Sequence, residues 1–203
     1  PTRSSKPSSI RSSAARAPDL RYLVIGSGAV GSYVGARLAE SGQPVVFLAR
    51  PRQVDAFQRK GLTVQDEEES LHLLPPMCAS DLRSALRLAR PHVILLAVKA
   101  YDLSPLLPAL SRTGSAESPV IVSLLNGVGS EEILADAVGS ERVLGATLTT
   151  AVQVIEPGLV RVERRRGLGL HDSHPAFPAL HAEMQAAGLS PRGYPRLDSL
   201  KWS

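Results

Sequence analysis

Short runs of continuous apolar residues alternate along this chain with longer stretches of helical periodicity. Leu20 to Ile25 reads as a buried strand, and Ala29 to Glu40 as a helix closed by Ser41-Gly42. Val45 to Ala49 is a second apolar run, of the kind found in parallel strands covered on both faces. Val54 to Lys60 predicts a short helix ended by Gly61. Leu62 to Val64 and Leu71 to Leu74 predict an antiparallel pair across the acidic, solvated turn Asp66 to Glu69. The alternation continues with a helix over Asp81–Ala89, a strand over Val93–Val98 and a proline-interrupted helix over Leu103–Leu110. A strand over Val120–Leu125 and a helix over Glu131–Val138, capped by Ser130, come next. Val143 to Ile155 and Leu159 to Val162 flank Pro157-Gly158, a pair suited to a reversing turn, and Ala176–Ala187 returns to helix. Strand alternating with helix five or six times predicts an α/β fold with a doubly wound, mainly parallel sheet.

Composition narrows the classes. A chain of 203 residues can bury roughly 70% of its unfolded surface, so its core needs no covalent or metal support. Cys78 is the sole cysteine, which rules out an internal disulfide framework and a cysteine-based zinc cluster and fits a reducing, cytoplasmic setting. The net charge of +4 comes from the first 17 residues, where Arg3, Lys6, Arg11 and Arg16 stand without any acid. Without them the body is balanced, 19 basic against 19 acidic residues, so the charge does not describe a face for nucleic acid. Aromatic residues make up only 4%, too few for a base-stacking platform, and no apolar run reaches the roughly 20 residues of a membrane span. Residues 1–18 read as a disordered leader, with an organellar transit remnant as the alternative because they are Ser- and Arg-rich. Residues 19–196 read as one domain, and Leu197–Ser203 as the start of a further helix.

Gly26-Ser27-Gly28-Ala29-Val30-Gly31 is G-x-G-x-x-G placed directly after a strand and opening a helix, the context that makes the pattern specific for a dinucleotide. The first glycine permits the tight turn, the second admits the pyrophosphate, and the third lets helix and strand pack closely. Free N–H groups at the helix start then face the phosphate charge. The fold therefore reads as Rossmann-like. An NAD site usually carries Asp or Glu at the end of the second strand. Here Arg50 stands there with Arg52 close behind, and a guanidinium pairs with a 2′-phosphate, so the cofactor reads as NADP(H). Lys99 and Asn126 follow the strands at Val93 and Val120, at the carboxyl ends where ligands of open α/β sheets lie.

Gly26 to Gly31, then Val98-Lys99-Ala100-Tyr101, then Asn126-Gly127-Val128-Gly129 resemble the ketopantoate reductase (2-dehydropantoate 2-reductase) family, in the family's order and spacing. The likeness runs on through Gly145–Ala151, Gly158-Leu159-Val160 and Leu200-Lys201-Trp202, so it covers about residues 20 to 203. It implies NADPH-dependent reduction of the ketone of 2-dehydropantoate to pantoate, in pantothenate and coenzyme A synthesis. It further implies that Gly26–Gly31 hold the pyrophosphate and Arg50 the 2′-phosphate. Lys99 and Asn126 would lie at the mouth of the substrate cleft, with Ala151 along the cofactor path.

The family's proton-donating lysine corresponds to a position after Ser203, and its helical second domain lies beyond that. The resemblance therefore implies a cofactor-binding fragment without a catalytic residue of its own, and Lys201 reads as a surface residue. The apolar Leu197, Leu200 and Trp202 would promote self-association. Three departures bear on the substrate: Asp102 where the family often has Gln, Leu125 where Gln is common, and Arg164-Arg165-Arg166 in place of a Gly- and His-containing stretch. The rivals are a non-catalytic NADP(H)-binding module and a reductase of a related 2-ketoacid. His171 and His174 read as loop residues, since no third metal ligand is near. No Gly-x-Ser-x-Gly elbow is present, and Arg161 with Arg164–Arg166 reads as a solvated hairpin tip.

Overall fold

The structure, a computed structural model, describes residues 20–67, 69–113, 118–127 and 129–196. The leader 1–18, the helix start at Leu197–Ser203 and Lys201 lie outside them. Strand β1 (Tyr22–Ile25) leads into helix α1 (Ala29–Glu40), β2 (Val45–Leu48) and α2 (Pro51–Lys60). Next come β3 (Leu62–Gln65), β4 (Leu71–Leu73), β5 (Met77–Ala79), α3 (Leu82–Ala89) and β6 (Val93–Leu96). Two 3-10 turns, Ala100–Asp102 and Ser104–Leu106, precede α4 (Leu107–Ser111), β7 (Val120–Ser123) and α5 (Ser130–Val138). The chain then runs through β8 (Val143–Leu148), β9 (Ala151–Glu156), β10 (Leu159–Arg164), β11 (Leu168–His171), α6 (Phe177–Ala186) and β12 (Pro191–Tyr194).

The main sheet has eight strands in the order β12-β11-β8-β7-β6-β1-β2-β5. The six strands from β8 to β5 are parallel, while β11 pairs antiparallel with β8 and carries β12 parallel to itself. Alternate residues of β1 face opposite ways, and both faces are buried. Tyr22 and Val24 join a core with Val34, Leu38, Leu180 and Met184 of α1 and α6. Leu23 and Ile25 join another with Ala85, Leu110 and Leu134 of α3, α4 and α5. This two-sided burial is why the parallel strands read as unbroken apolar runs, and it is the doubly wound, Rossmann-like arrangement expected.

A second sheet, β4-β3-β10-β9, covers the far side of α1. Its β3–β4 pair is antiparallel with Leu62 opposite Leu73, as the sequence predicts. Helix α1 is thus wedged between two sheets, with every residue from Gly31 to Ala36 buried. Hydrophobic residues all round a helix demand such double cover.

Several expectations change. The run Val143–Ile155 is two strands, because the chain leaves the main sheet after β8 and enters the second sheet as β9. Ser130 is the first residue of α5 and not its cap; Gly129, at φ +96°, holds that place. The strands β5, β11 and β12 lack an apolar run to announce them: β5 follows Pro75-Pro76, β11 contains Gly169, and β12 contains Pro191 and Gly193. Pro191 is tolerated because it opens a strand at the sheet's edge. Among the described residues no helix is long and apolar enough to cross a membrane.

Candidate functional site

The carboxyl ends of β7, β6, β1 and β2, adjacent in that order, bring together Asn126, Lys99, the glycine turn and Arg50. At the turn itself the three motif glycines meet different surroundings. Gly26 has φ +100°, and a Cβ there would lie 2.8 Å from the backbone of Ala97. A Cβ on Gly31 would stand 2.1 Å from the carbonyl oxygen of Gly26, so only glycine lets α1 approach β1 this closely. Gly35, a turn further on, sits 2.5 Å in the same sense from the Phe47 ring. Gly28, by contrast, has nothing within 4 Å of where its Cβ would be.

Gly28 is the N-cap of α1, with no side chain capping the helix and no acid in the first turn. The first N–H groups of a helix lack intrahelical acceptors, so Ala29 and Val30 open a helix end suited to an anion. The side chains of the turn point elsewhere. Ser27 donates from its hydroxyl to Leu48 O at 3.1 Å, and Ser32 donates to Ser27 O at 3.1 Å. The first bond ties the turn to β2 and the second ties it to α1.

Arg50 is the N-cap residue of α2 and its side chain is 84% exposed. Its guanidinium donates to Asp102 Oδ2 at 3.5 Å, across the end of β1. Lys99 is exposed and immediately precedes the 3-10 turn that carries Asp102. Asn126 is exposed in the loop after β7, followed by Gly127 at φ +95°. Beneath that loop lies a pair the sequence reading missed. Ser123, the last residue of β7, donates to Glu131 Oε1 at 2.7 Å, and both are buried. Glu131 also sits in the first turn of α5, where a carboxylate meets the positive end of the helix.

Ala151 is exposed at the start of β9, where the chain passes between sheets. That crossing is held by two threonines. Thr150 Oγ1 accepts from the N–H groups of Arg166 and Gly167 at 3.1 and 3.0 Å, and Thr149 donates to Gly167 O at 3.0 Å. The Thr-Thr pair in front of Ala151 was the available signal.

Other candidates resolve as structure. The arginines at 161 and 164–166 are not at the hairpin tip: Arg161 lies within β10, and Arg164–Arg166 lie at and beyond its far end from Pro157-Gly158. Arg161 donates twice to Gln65 Oε1, and Arg165 meets Asp66 at 2.6 Å. Asp66 is therefore not part of a freely solvated turn: its side chain is 10% exposed and ion-paired. His174 is bonded at both ring nitrogens to the protein backbone. Among the described residues no group of His, Cys, Asp and Glu could hold a metal.

Residues 22–171 match the family described as Ketopantoate reductase PanE/ApbA. An oxidoreductase of Bacillus subtilis, YkpB, is 34% identical over 126 residues, 62% of this chain and 40% of that protein. The 2-dehydropantoate 2-reductase of Archaeoglobus fulgidus is 34% identical over 140 residues, covering 69% of this chain and 43% of the relative. The solved 2-dehydropantoate 2-reductase of Geobacter metallireducens superposes with a TM-score of 0.81 at 28% identity, covering 90% of this chain and 60% of that one. The chain thus spans about half the length of the proteins it matches. A D-mandelate dehydrogenase solved with NADH shares the fold, with a TM-score of 0.73 at 20% identity over 89% of this chain and 59% of that one. Matched over most of its length, residues 22–171, this chain belongs to the ketopantoate reductase PanE/ApbA family.

Proposed function

We propose that the chain is the NADP(H)-holding part of a 2-dehydropantoate 2-reductase, which reduces the ketone of 2-dehydropantoate to a hydroxyl. The observation that carries this reading is the pairing of an open helix start at Gly28 with an arginine, in place of an acid, at the end of β2. Backbone groups of Gly26–Gly31 would hold the pyrophosphate and Arg50 the 2′-phosphate, with Ala151 alongside. The reduced nicotinamide supplies the hydride. The chain's own residues do the positioning. Asn126 stands at the end of β7 with an amide able to orient a carbonyl or carboxamide. Lys99 places an ammonium where negative charge grows on a ketone oxygen, and such a charge is most useful in a site closed to water. The setting that fits this chemistry is the cytoplasm.

The reading is tested by titrating the chain with NADPH and NADH by fluorescence, beside Arg50→Glu. Micromolar NADPH binding, weakened at least tenfold by the substitution and stronger than NADH binding, supports it. Absent binding, or NADPH binding indifferent to Arg50, would contradict it.

A further inference from the structure

Arg50 and Asp102 come from different crossovers, one at the end of β2 and the other in the turn after β6. The strands β2 and β6 are the two neighbours of β1 in the sheet. The ion pair between them, 3.5 Å from Arg50 Nη2 to Asp102 Oδ2, therefore spans the end of β1 at the level of the glycine turn. Arg50 is 84% exposed and Asp102 39%, so the pair is solvated and contributes little to holding the fold. It does change what Arg50 has to offer. A guanidinium offers an oxyanion only a few paired N–H edges, and here a carboxylate of the same chain already lies beside one of them, at Nη2. A phosphate monoester carries −1.5 to −2 charge near neutral pH, so it must displace that carboxylate or bear its repulsion. A ribose carrying a free 2′-hydroxyl faces neither cost.

We infer that Asp102 is a specificity-determining residue that competes with a 2′-phosphate for Arg50 and so narrows the chain's preference for the phosphorylated cofactor over the unphosphorylated one. This rests on the proposed NADP(H) reading, in which Arg50 is the 2′-phosphate ligand. It predicts a binder with a modest preference for NADP(H), which loss of the Asp102 charge would sharpen.

The test uses the 203-residue chain with two probes that load only the adenosine half, adenosine 2′,5′-bisphosphate and 5′-AMP, titrated calorimetrically. In Asp102→Asn the bisphosphate should bind about tenfold tighter while 5′-AMP changes less than twofold. In the Arg50→Gln background the same substitution should gain less than threefold, because the group competed for is gone. A purely structural role for Asp102 would move both ligands together, and that result would overturn the inference. A bisphosphate-to-AMP ratio unchanged by Asp102→Asn but lowered by Arg50→Gln would also overturn it, while leaving the cofactor reading intact. If Arg50→Gln leaves the ratio unchanged, or neither ligand binds, the cofactor reading fails and the inference fails with it.

Discussion

Gly28 and Gly31 are three residues apart in one motif, yet they answer to different forces. Gly31 is a packing residue, since a methyl group there meets the Gly26 carbonyl at 2.1 Å inside a helix wedged between two sheets. Gly31→Ala should cost about 3 kcal/mol, or roughly 10 °C in Tm by calorimetry. Gly28 has ordinary extended backbone, with φ −79°, and open space around it. Gly28→Ala should leave Tm within about 2 °C and weaken NADPH at least tenfold. Stability loss in both variants would mean that Gly28 is structural as well. At this scale the sequence was most informative, because steric demands on single glycines are written into the motif. Asp102 was visible only as a departure from a family pattern. Its approach to Arg50, 52 residues away in sequence, depends on the strand order that sets β2 and β6 on either side of β1.

Two devices at the scale of elements carry their own tests. Thr150 supplies the acceptor for two backbone N–H groups where β8 leaves the main sheet and β9 joins the second. Thr150→Val keeps the shape and removes the acceptor, so it should destabilise by about 2 kcal/mol in urea denaturation, with Thr150→Ser close to the parent. His174 fastens the turn before α6 to the segment before β8. Its Nε2 donates to Glu141 O at 2.9 Å, and its Nδ1 accepts from Ala176 N–H at 3.0 Å, a pattern only the neutral ring can make. Burial is the main cause that holds its pKa below the usual imidazole value, with the Glu141 bond opposing it and His171 adding to it. The unfolded chain therefore takes up this proton first. The contribution of His174 is complete above about pH 6.5 and is lost as pH falls through the lower folded value. The urea midpoint should fall between pH 7 and pH 5.5, and His174→Gln should flatten that fall. An unchanged slope would show that the ring is not held neutral. Neither device was read from the pattern of apolar residues. Thr150 sits within a run that looked like one strand, and the His171/His174 spacing invited only a question about metals. What the chain's pattern did specify were elements with uniform burial, such as β1 and β6 with both faces covered. It was silent on β11 and β12, the last two strands at one end of the main sheet, whose apolar runs are broken by glycine and proline.

At the scale of the whole molecule, the parallel strands converge on one edge, and every residue proposed to meet the cofactor lies along it: Gly26–Gly31, Arg50, Lys99, Asn126 and, at the crossing between sheets, Ala151. The order of strands, which hydrophobic patterning cannot give, is what makes them neighbours. The second sheet serves this edge indirectly, by covering α1 and fixing the direction of its N-terminus. We propose that this edge, and no other surface, receives NADPH. The most direct measurement is a map of backbone amide chemical shifts in the chain as NADPH is added. The largest shifts should fall at residues 26–32, 50–52, 99–102, 126–127 and 149–151, with β4, α6 and β12 unmoved. Shifts centred on the opposite ends of the strands or on the second sheet would contradict it.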